Sequence, residues 1–320
     1  MTLACLALAV LLDMILGEPR HYHPLAGFGK VAQKLERILN GDAATARAQP
    51  PCLSKITTQQ AHFLSILSGA IAWAIAVIPW LVLALLAYQQ LPSFEWLFNT
   101  ALLYWAIGYR SLKQHVTNID VALQQPTLEP ARKAVAAIVS RDTQQLKKPA
   151  LVNASIESTL ENGSDAIFAA IFWFIVAGGP GVLLYRLSNT LDAMWGYRTQ
   201  RYERFGKFSA RVDDALNWLP ARLVALSYLA LGNSAKAWHA WHTQAAKCAS
   251  QNAGAVMASG AGSLGIVLGG TAYYGGQPVL KPPLGLGREP HQKDILRALT
   301  LIDKTLLLWL LGIAAMSAVI

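Results

Sequence analysis

The chain has 320 residues, 54% hydrophobic and only 14% charged, against about 45–50% and about 25% in an ordinary soluble domain. Its formal net charge is +9, from 27 basic and 18 acidic residues, and its mean hydropathy is +0.34. These values exclude a disordered, collagen-like or disulfide-rich chain, and they fit an integral membrane protein with basic cytoplasmic loops better than a nucleic-acid binder.

The predicted elements follow in chain order. Residues 3–16 are apolar, lack a preceding Lys or Arg and contain Asp13, so they read as a retained first helix rather than a cleaved signal. Residues 62–88 are uncharged and exceed the roughly 20 residues needed to cross hydrocarbon, with Pro79 as a kink. Residues 94–109 form a further apolar segment rich in Trp and Tyr, suited to an interface. Residues 167–187 are apolar but interrupted by Gly178-Gly179-Pro180-Gly181. Such a break cannot face lipid, because its freed backbone groups need partners. Residues 218–231 and 253–270 are shorter apolar stretches, and 305–320 form a C-terminal hydrophobic helix. Residues 43–51 read as a loop. Segments 18–60, 110–165 and 188–217 are basic, and the positive-inside rule places the first two in the cytoplasm. A full crossing by 167–187 would put the third outside, so a re-entrant hairpin is expected there. Cys5, Cys52 and Cys248 are scattered without a CxxC, and neither a disulfide nor a zinc or iron–sulfur site is expected.

The acids concentrate in a few places. Glu157, Glu161 and Asp165 recur at intervals of four, which on a helix makes one stripe drifting about 40° per step. Like charges at that spacing cost roughly 0.2–0.5 kcal/mol per pair. A chain so poor in acid has little reason to stack three unless a cation sits against them: Mg²⁺, an arginine cluster or an amine. The alternative is a solvated face, or ion pairs to Arg141 or Arg186. Gly163, inside the stripe, is placed to end or loosen the helix. Asn189 and Asp192 follow the Gly-Pro break, as ligand groups or as a helix N-cap at Asn189 or Thr190. Asp213, Asp214 and Asn217 offer hard oxygen ligands suited to Mg²⁺, or else an Asp–Arg network. Gly260-Ala-Gly262-Ser-Leu-Gly265 matches GxGxxG, but no strand precedes it. Gly265 and Gly269 have the spacing of close helix packing in membranes. His21 and His23 form only a weak metal pair. No P-loop, GxSxG or HExxH occurs.

Several strings, in order, carry a resemblance. They include Leu12-Asp13 with Gly17-Glu18-Pro19 and His23-Pro24, then Ser111-Leu112, His115 and Arg141-Asp142-Thr143. Next come Glu157-Ser158, Glu161-Asn162-Gly163-Ser164-Asp165, Phe172-Trp173, the Gly-Gly-Pro-Gly break and Tyr185-Arg186. Asn189-Thr190-Leu191-Asp192, Gly196-Tyr197-Arg198, Ala210-Arg211, Asp213-Asp214, Pro220-Ala221-Arg222, Asn252-Ala253-Gly254 and Asp294-Ile295 complete the set. Together they resemble the cobalamin-biosynthesis CobD/CbiB family of membrane proteins, the adenosylcobinamide-phosphate synthases, over nearly the whole chain. The chain departs from the family pattern at Ala166, at Ala169-Ala170-Ile171, at Gln251 and at Met257.

The resemblance implies one membrane-embedded domain over residues 1–320, an all-α polytopic helical bundle with a broken or re-entrant helix and helical cytoplasmic loops. It implies a multi-pass protein of the bacterial inner membrane, able to form oligomers, with no nucleic-acid partner. The implied reaction is ATP-dependent amide formation between a propionate of adenosylcobyric acid and (R)-1-aminopropan-2-ol phosphate or a related amino alcohol. Glu157, Glu161, Asp165, Asp192, Asp213 and Asp214 would be the catalytic carboxylates, with Glu157, Glu161, Asp192 and Asp213 holding Mg²⁺. Substrate would meet Arg141, Asp142, Asn162, Asn189, Tyr197, Arg198, Arg211, Asn217, Arg222 and Asn252. ATP binding is inferred from the chemistry, because a carboxylate is a poor electrophile until activated. The other reading is a corrinoid transporter or carrier, or a non-enzymatic sensor-like relative, which a broken helix beside an Asn/Asp pair also suits.

Overall fold

The computed structural model describes residues 2–18, 24–40, 58–197 and 199–319. The expected loop at 43–51, His21, His23, Cys52 and Arg198 lie outside the described residues. The architecture is the expected helical membrane bundle. The elements are α1 (Thr2–Leu16), α2 (Pro24–Leu39), α3 (Thr58–Gln90), α4 (Glu95–Ala106), α5 (Tyr109–Ala122), α6 (Glu129–Ala136), α7 (Lys148–Gly163) and α8 (Ala169–Trp195). They continue with α9 (Lys207–Leu231), α10 (Ser234–Gln244), α11 (Gln251–Leu264), the hairpin β1 (Val267–Tyr274) and β2 (Gln277–Gly285), and α12 (Lys293–Val319).

Three helical stretches are long and apolar enough to cross a membrane: His62–Gln90, Lys148–Trp195 and Lys293–Ala318. Large apolar side chains stand exposed along them, among them Leu67, Ile71, Ile75 and Leu86 on α3 and Leu307, Leu311 and Met316 on α12. That much exposed hydrocarbon is a lipid-facing surface. The last helix starts a dozen residues before the apolar run suggested. Its first turn is held by buried Asp294, which accepts from Arg288 at 2.6 and 2.9 Å, from Arg297 at 2.5 Å and from the His291 amide at 2.7 Å.

The middle stretch is not one rod. Its 48 residues would measure about 72 Å as a straight helix, more than twice the hydrocarbon thickness of about 30 Å. The Tyr185 hydroxyl lies 2.9 Å from the Asp165 carbonyl, although 20 residues of straight helix would separate them by about 30 Å. The chain reverses at Ala177 (φ −141°, ψ 19°) and Gly178 (φ 60°, ψ −153°), the latter a conformation essentially restricted to glycine. At the tip, the Gly179 amide donates to Asn99 Oδ1 at 2.7 Å, and the Tyr88 hydroxyl donates to the same oxygen. The break predicted from Gly-Gly-Pro-Gly is therefore the tip of a hairpin. The Gly179 amide thus finds its partner on α4, held in place from α3 by Tyr88, as a helix break at membrane depth requires.

Other helix interruptions are compensated in the same way. Pro220 lies inside α9 and cannot donate to the carbonyl four residues back. That carbonyl, on Leu216, instead accepts from the Trp173 indole at 3.0 Å. Asp13, the odd acid in the first apolar helix, is fully buried and accepts from the Arg110 amide at 2.8 Å. It thereby caps the start of α5, while the Arg110 guanidinium donates to the terminal α1 carbonyls of Met14 and Ile15.

One element contradicts the sequence reading. The stretch 253–270 is not one apolar segment: α11 ends at Leu264, and the chain turns into an antiparallel hairpin. Gly265 (φ 68°) is the left-handed residue that terminates α11, and Gly269 (φ 112°) sits where the β1–β2 register shifts between Leu268 and Gly270. Their four-residue spacing therefore reflects a helix stop and a strand bulge, not helix packing. The turn residues Gly275 and Gly276 both take positive φ, as a tight two-residue hairpin turn demands.

A smaller apolar core joins α2 to α3 and α8 through Phe28, Ala32, Ala72, Ala76, Leu183 and Leu187. Buried Glu36 completes this contact by accepting a fork from Arg201 at 2.9 and 2.7 Å. Although burial alone would raise it, bonds from Arg201 and Asn40 hold the Glu36 carboxyl below its usual range. The sign follows from that direction: the clamp stabilises fully above the ordinary glutamate pKa and is lost as pH falls through the depressed value. Glu36→Gln should cost about 1–2 kcal/mol at neutral pH. The melting-temperature gap to wild type should begin to narrow as pH drops below about 4 and close as the depressed value is passed; a gap independent of pH contradicts the clamp.

Candidate functional site

The carboxylate stripe of α7 divides as the helix ends. After Gly163 the backbone widens into a π turn over Ser164–Phe168, a distortion often found at functional sites. Glu161 and Asp165 then face a cavity of about 260 Å³, lined also by Ser164, Asn189, Asp192, Asp213, Asp214, Asn217 and Asn252. Glu157, one turn earlier, is not in that lining. Its Oε2 takes Arg141 and, at 3.0 Å, Lys281, so the ion pair to Arg141 considered from sequence is realised.

The two arms of the hairpin and α9 converge on the cavity. Asn189 donates to Asp213 Oδ1 at 3.1 Å and Asn217 donates to Asp213 Oδ2 at 3.0 Å. The Tyr185 hydroxyl lies 3.1 Å from Asn217 Oδ1 and 2.9 Å from the Asp165 carbonyl, tying the π turn, α8 and α9 together. Asn189 and Thr190 lie within α8, which removes the N-cap alternative. Gly196 leaves room for the Asp192 carboxylate, into which a Cβ there would run. Burial pushes the Asp213 carboxyl above its usual range, the amides of Asn189 and Asn217 pull it back, and the Asp214 charge raises it further.

The cavity shares Gly196, Ala210, Asp214, Ala249, Ser250 and Asn252 with a wider vestibule of about 890 Å³. The vestibule adds Tyr197, Tyr202, Lys207, Arg211 and Trp218. On its rim the Arg222 guanidinium stacks 4.4 Å from the Trp218 ring centre and donates to Asn252 Oδ1 at 2.8 Å. Asn252 in turn donates to the Asp214 carbonyl at 2.8 Å. Among the described residues, no ion pair engages Glu161, Asp165, Asp192, Asp213 or Asp214. An Asp–Arg network is therefore absent there, and five acids face one small space without a bound countercharge. That arrangement suits a cationic ligand. Nor do three metal-ligating groups converge among the described residues. The donor set fits a Mg²⁺ held by one or two carboxylates and completed by substrate phosphate oxygens.

The CobD/Cbib protein family matches residues 6–302 of the chain. The chain belongs to the CobD/Cbib family. A Stutzerimonas stutzeri protein named cobalamin biosynthesis protein CobD is 50% identical over 303 residues, covering 95% of this chain and 94% of its own length. A Chromobacterium violaceum protein of the same name is 49% identical over 304 residues, with 95% and 93% covered. A Pyrococcus furiosus protein, named probable cobalamin biosynthesis protein CobD, is 37% identical over 295 residues, with 92% and 91% covered. No solved structure matches the chain. Family membership gives this CobD/Cbib protein its place in cobalamin biosynthesis.

Of the residues singled out in this CobD/Cbib sequence, Glu161, Asp165, Asn189, Asp192, Asp213, Asp214, Asn217 and Asn252 line the cavity, and Tyr197 and Arg211 line the vestibule. Others sit elsewhere. Asp142 holds the β-hairpin turn, accepting from the Gly276 amide at 2.7 Å and donating its own amide to Tyr273 at 2.8 Å. Asn162 donates to Ser158 at 2.7 Å. Lys281, Ser250, Tyr202 and Lys207 were not singled out. Lys207 and Tyr202 belong to the basic segment after α8, which gave a weak signal. Lys281 reaches Glu157 from 124 positions away, and no local pattern announces that.

Proposed function

We propose that the protein forms the amide bond between a propionate of adenosylcobyric acid and (R)-1-aminopropan-2-ol phosphate or a related amino alcohol. The observation that carries this reading is the acidic cavity opening into a larger aromatic and basic vestibule. An ammonium group is small and cationic, and the inner space of about 260 Å³ offers it carboxylates that no ion pair among the described residues engages. A corrinoid is large and amide-rich, and the vestibule of about 890 Å³ offers it Tyr197, Trp218 and the Asn252 side chain.

The roles follow from the atoms. Asp213, steered by two amides and raised by burial, takes a proton from the ammonium so that its nitrogen becomes nucleophilic. Asp192 and Asp165 hold the same cation in place. Lys207 and Arg211 at the vestibule receive phosphate oxygens, which arginine engages with two parallel bonds. ATP with Mg²⁺, when bound, would supply the activation that a carboxylate needs before an amine can attack it. Glu161 would hold the metal, leaving Asp165 and Asp192 to the ammonium.

The test is a single incubation of detergent-purified protein with adenosylcobyric acid, ATP, Mg²⁺ and each candidate amine, read by mass spectrometry. A product heavier by the amine less water, dependent on ATP, is the expected result. No new mass with any amine, together with passage of intact corrinoid into protein-containing vesicles, overturns this reading in favour of a carrier.

A further inference from the structure

Helix α2 carries three distinct faces. At 100° per residue, Phe28, Ala32 and Glu36 fall on one side and are buried against α3 and α8. Lys30, Lys34 and Arg37 fall within about 60° of one another on the opposite side, and all three are exposed. Val31 and Ile38 lie between the two faces and are 46% and 65% exposed. A helix docked by one face, with an apolar flank beside a basic ridge, is built to lie in a membrane interface.

Its position agrees. The end of α2 meets the first turns of the spanning helix α3 around a groove of about 400 Å³. Leu64, Leu67 and Ile71 give that groove an apolar wall, each more than two-fifths exposed. Asn40, Ser65 and Ser68 give it a polar floor. These α3 residues open a 29-residue span of which about 20 residues are needed to cross hydrocarbon. The groove therefore sits at headgroup depth, where acyl carbon and phosphate are within a few ångströms of each other.

We propose that the outer side of α2 binds anionic phospholipid at this depth, with acyl chains against Val31 and Ile38 and the headgroup phosphate at Lys30, Lys34 and Arg37. Apolar burial alone would accept any lipid; the basic ridge selects for negative charge. Glu36, on the docked face, is clamped to Arg201, next to Tyr202 and Glu203 of the vestibule wall.

The full chain in detergent would be titrated with dioleoyl-phosphatidylglycerol and, separately, dioleoyl-phosphatidylcholine, and bound lipid counted by native mass spectrometry. Each basic residue near a lipid surface contributes roughly fivefold at low salt. Wild type should prefer the anionic lipid by about a hundredfold from three such residues, and the preference should fall in salt. The combined variant Lys30→Gln, Lys34→Gln, Arg37→Gln should bind the two lipids equally and melt as wild type does, because all three side chains are exposed. Lys133→Gln, a surface change on α6, should keep the preference. Equal binding of both lipids by wild type overturns the proposal, as does a preference unmoved in the triple variant; the face would then belong to a protein partner or another segment of this chain.

Discussion

Asp213→Asn should lower amide formation by about 10²–10⁴-fold, the range typical of a lost general base, while leaving the protein about as stable as wild type. The two readouts move apart for a physical reason. Asp213 is half-buried beside the charge of Asp214, and both effects raise its carboxyl, so the fold bears a cost in keeping it ionised. Asparagine removes that charge and keeps one acceptor oxygen, while its amide nitrogen gives up the bond from either Asn189 or Asn217, so relief of charge and loss of one hydrogen bond roughly offset. A melting temperature that holds or rises while turnover collapses marks a residue kept for chemistry rather than structure. Asp192→Asn should behave similarly, and the double variant should lose little more than either single one, since the two act on one cation. Glu129→Gln, whose pairs with Arg132 and Lys133 are at the surface, should change neither quantity. Wild-type turnover by Asp213→Asn in folded protein would remove the acidic cavity from the reaction.

How much of this site the sequence disclosed depended on how local each signal was. The four-residue spacing of Glu161 and Asp165 and that of Asp213 and Asn217 place side chains together within one helix, and both pairs reach the cavity. The helix break was legible because Gly-Gly-Pro-Gly has few uses other than reversing or interrupting a chain. What the break rests on was not legible: Asn99 and Tyr88 belong to helices whose apolar pattern says nothing about one polar contact at their tips. The stripe of three acids misled in one respect. Regular spacing implied one shared role, but Arg141, from the loop before α7, and Lys281, from strand β2, claim Glu157 alone. The β-hairpin was hidden by small apolar residues that suit a packed helix as well as a strand, although Gly275-Gly276 between Tyr274 and Gln277 held a turn signal.

Glu157 should therefore behave unlike its neighbours on the stripe. Its side chain is 2% exposed, with Arg141 at 10% and Lys281 at 28%, and its second oxygen has no partner. Removing one member of such a buried set leaves the others charged and unpaired, which typically costs about 3–5 kcal/mol. Glu157→Ala should lower the melting temperature steeply in detergent. Glu157→Gln should do so less, because it still fills the space but cannot neutralise two cations. The combined replacement Glu157→Met, Arg141→Met, Lys281→Met should recover most of the loss, since no uncompensated charge then remains buried. Meanwhile the fraction of Glu157→Gln that stays folded should turn over within a few-fold of wild type, because the residue lies outside the cavity lining. Loss of turnover at unchanged stability would reverse that assignment and return Glu157 to the metal-binding role its spacing first suggested. The same pair of measurements thus separates the acid that secures the β-hairpin from Glu161 and Asp165, which face the cavity.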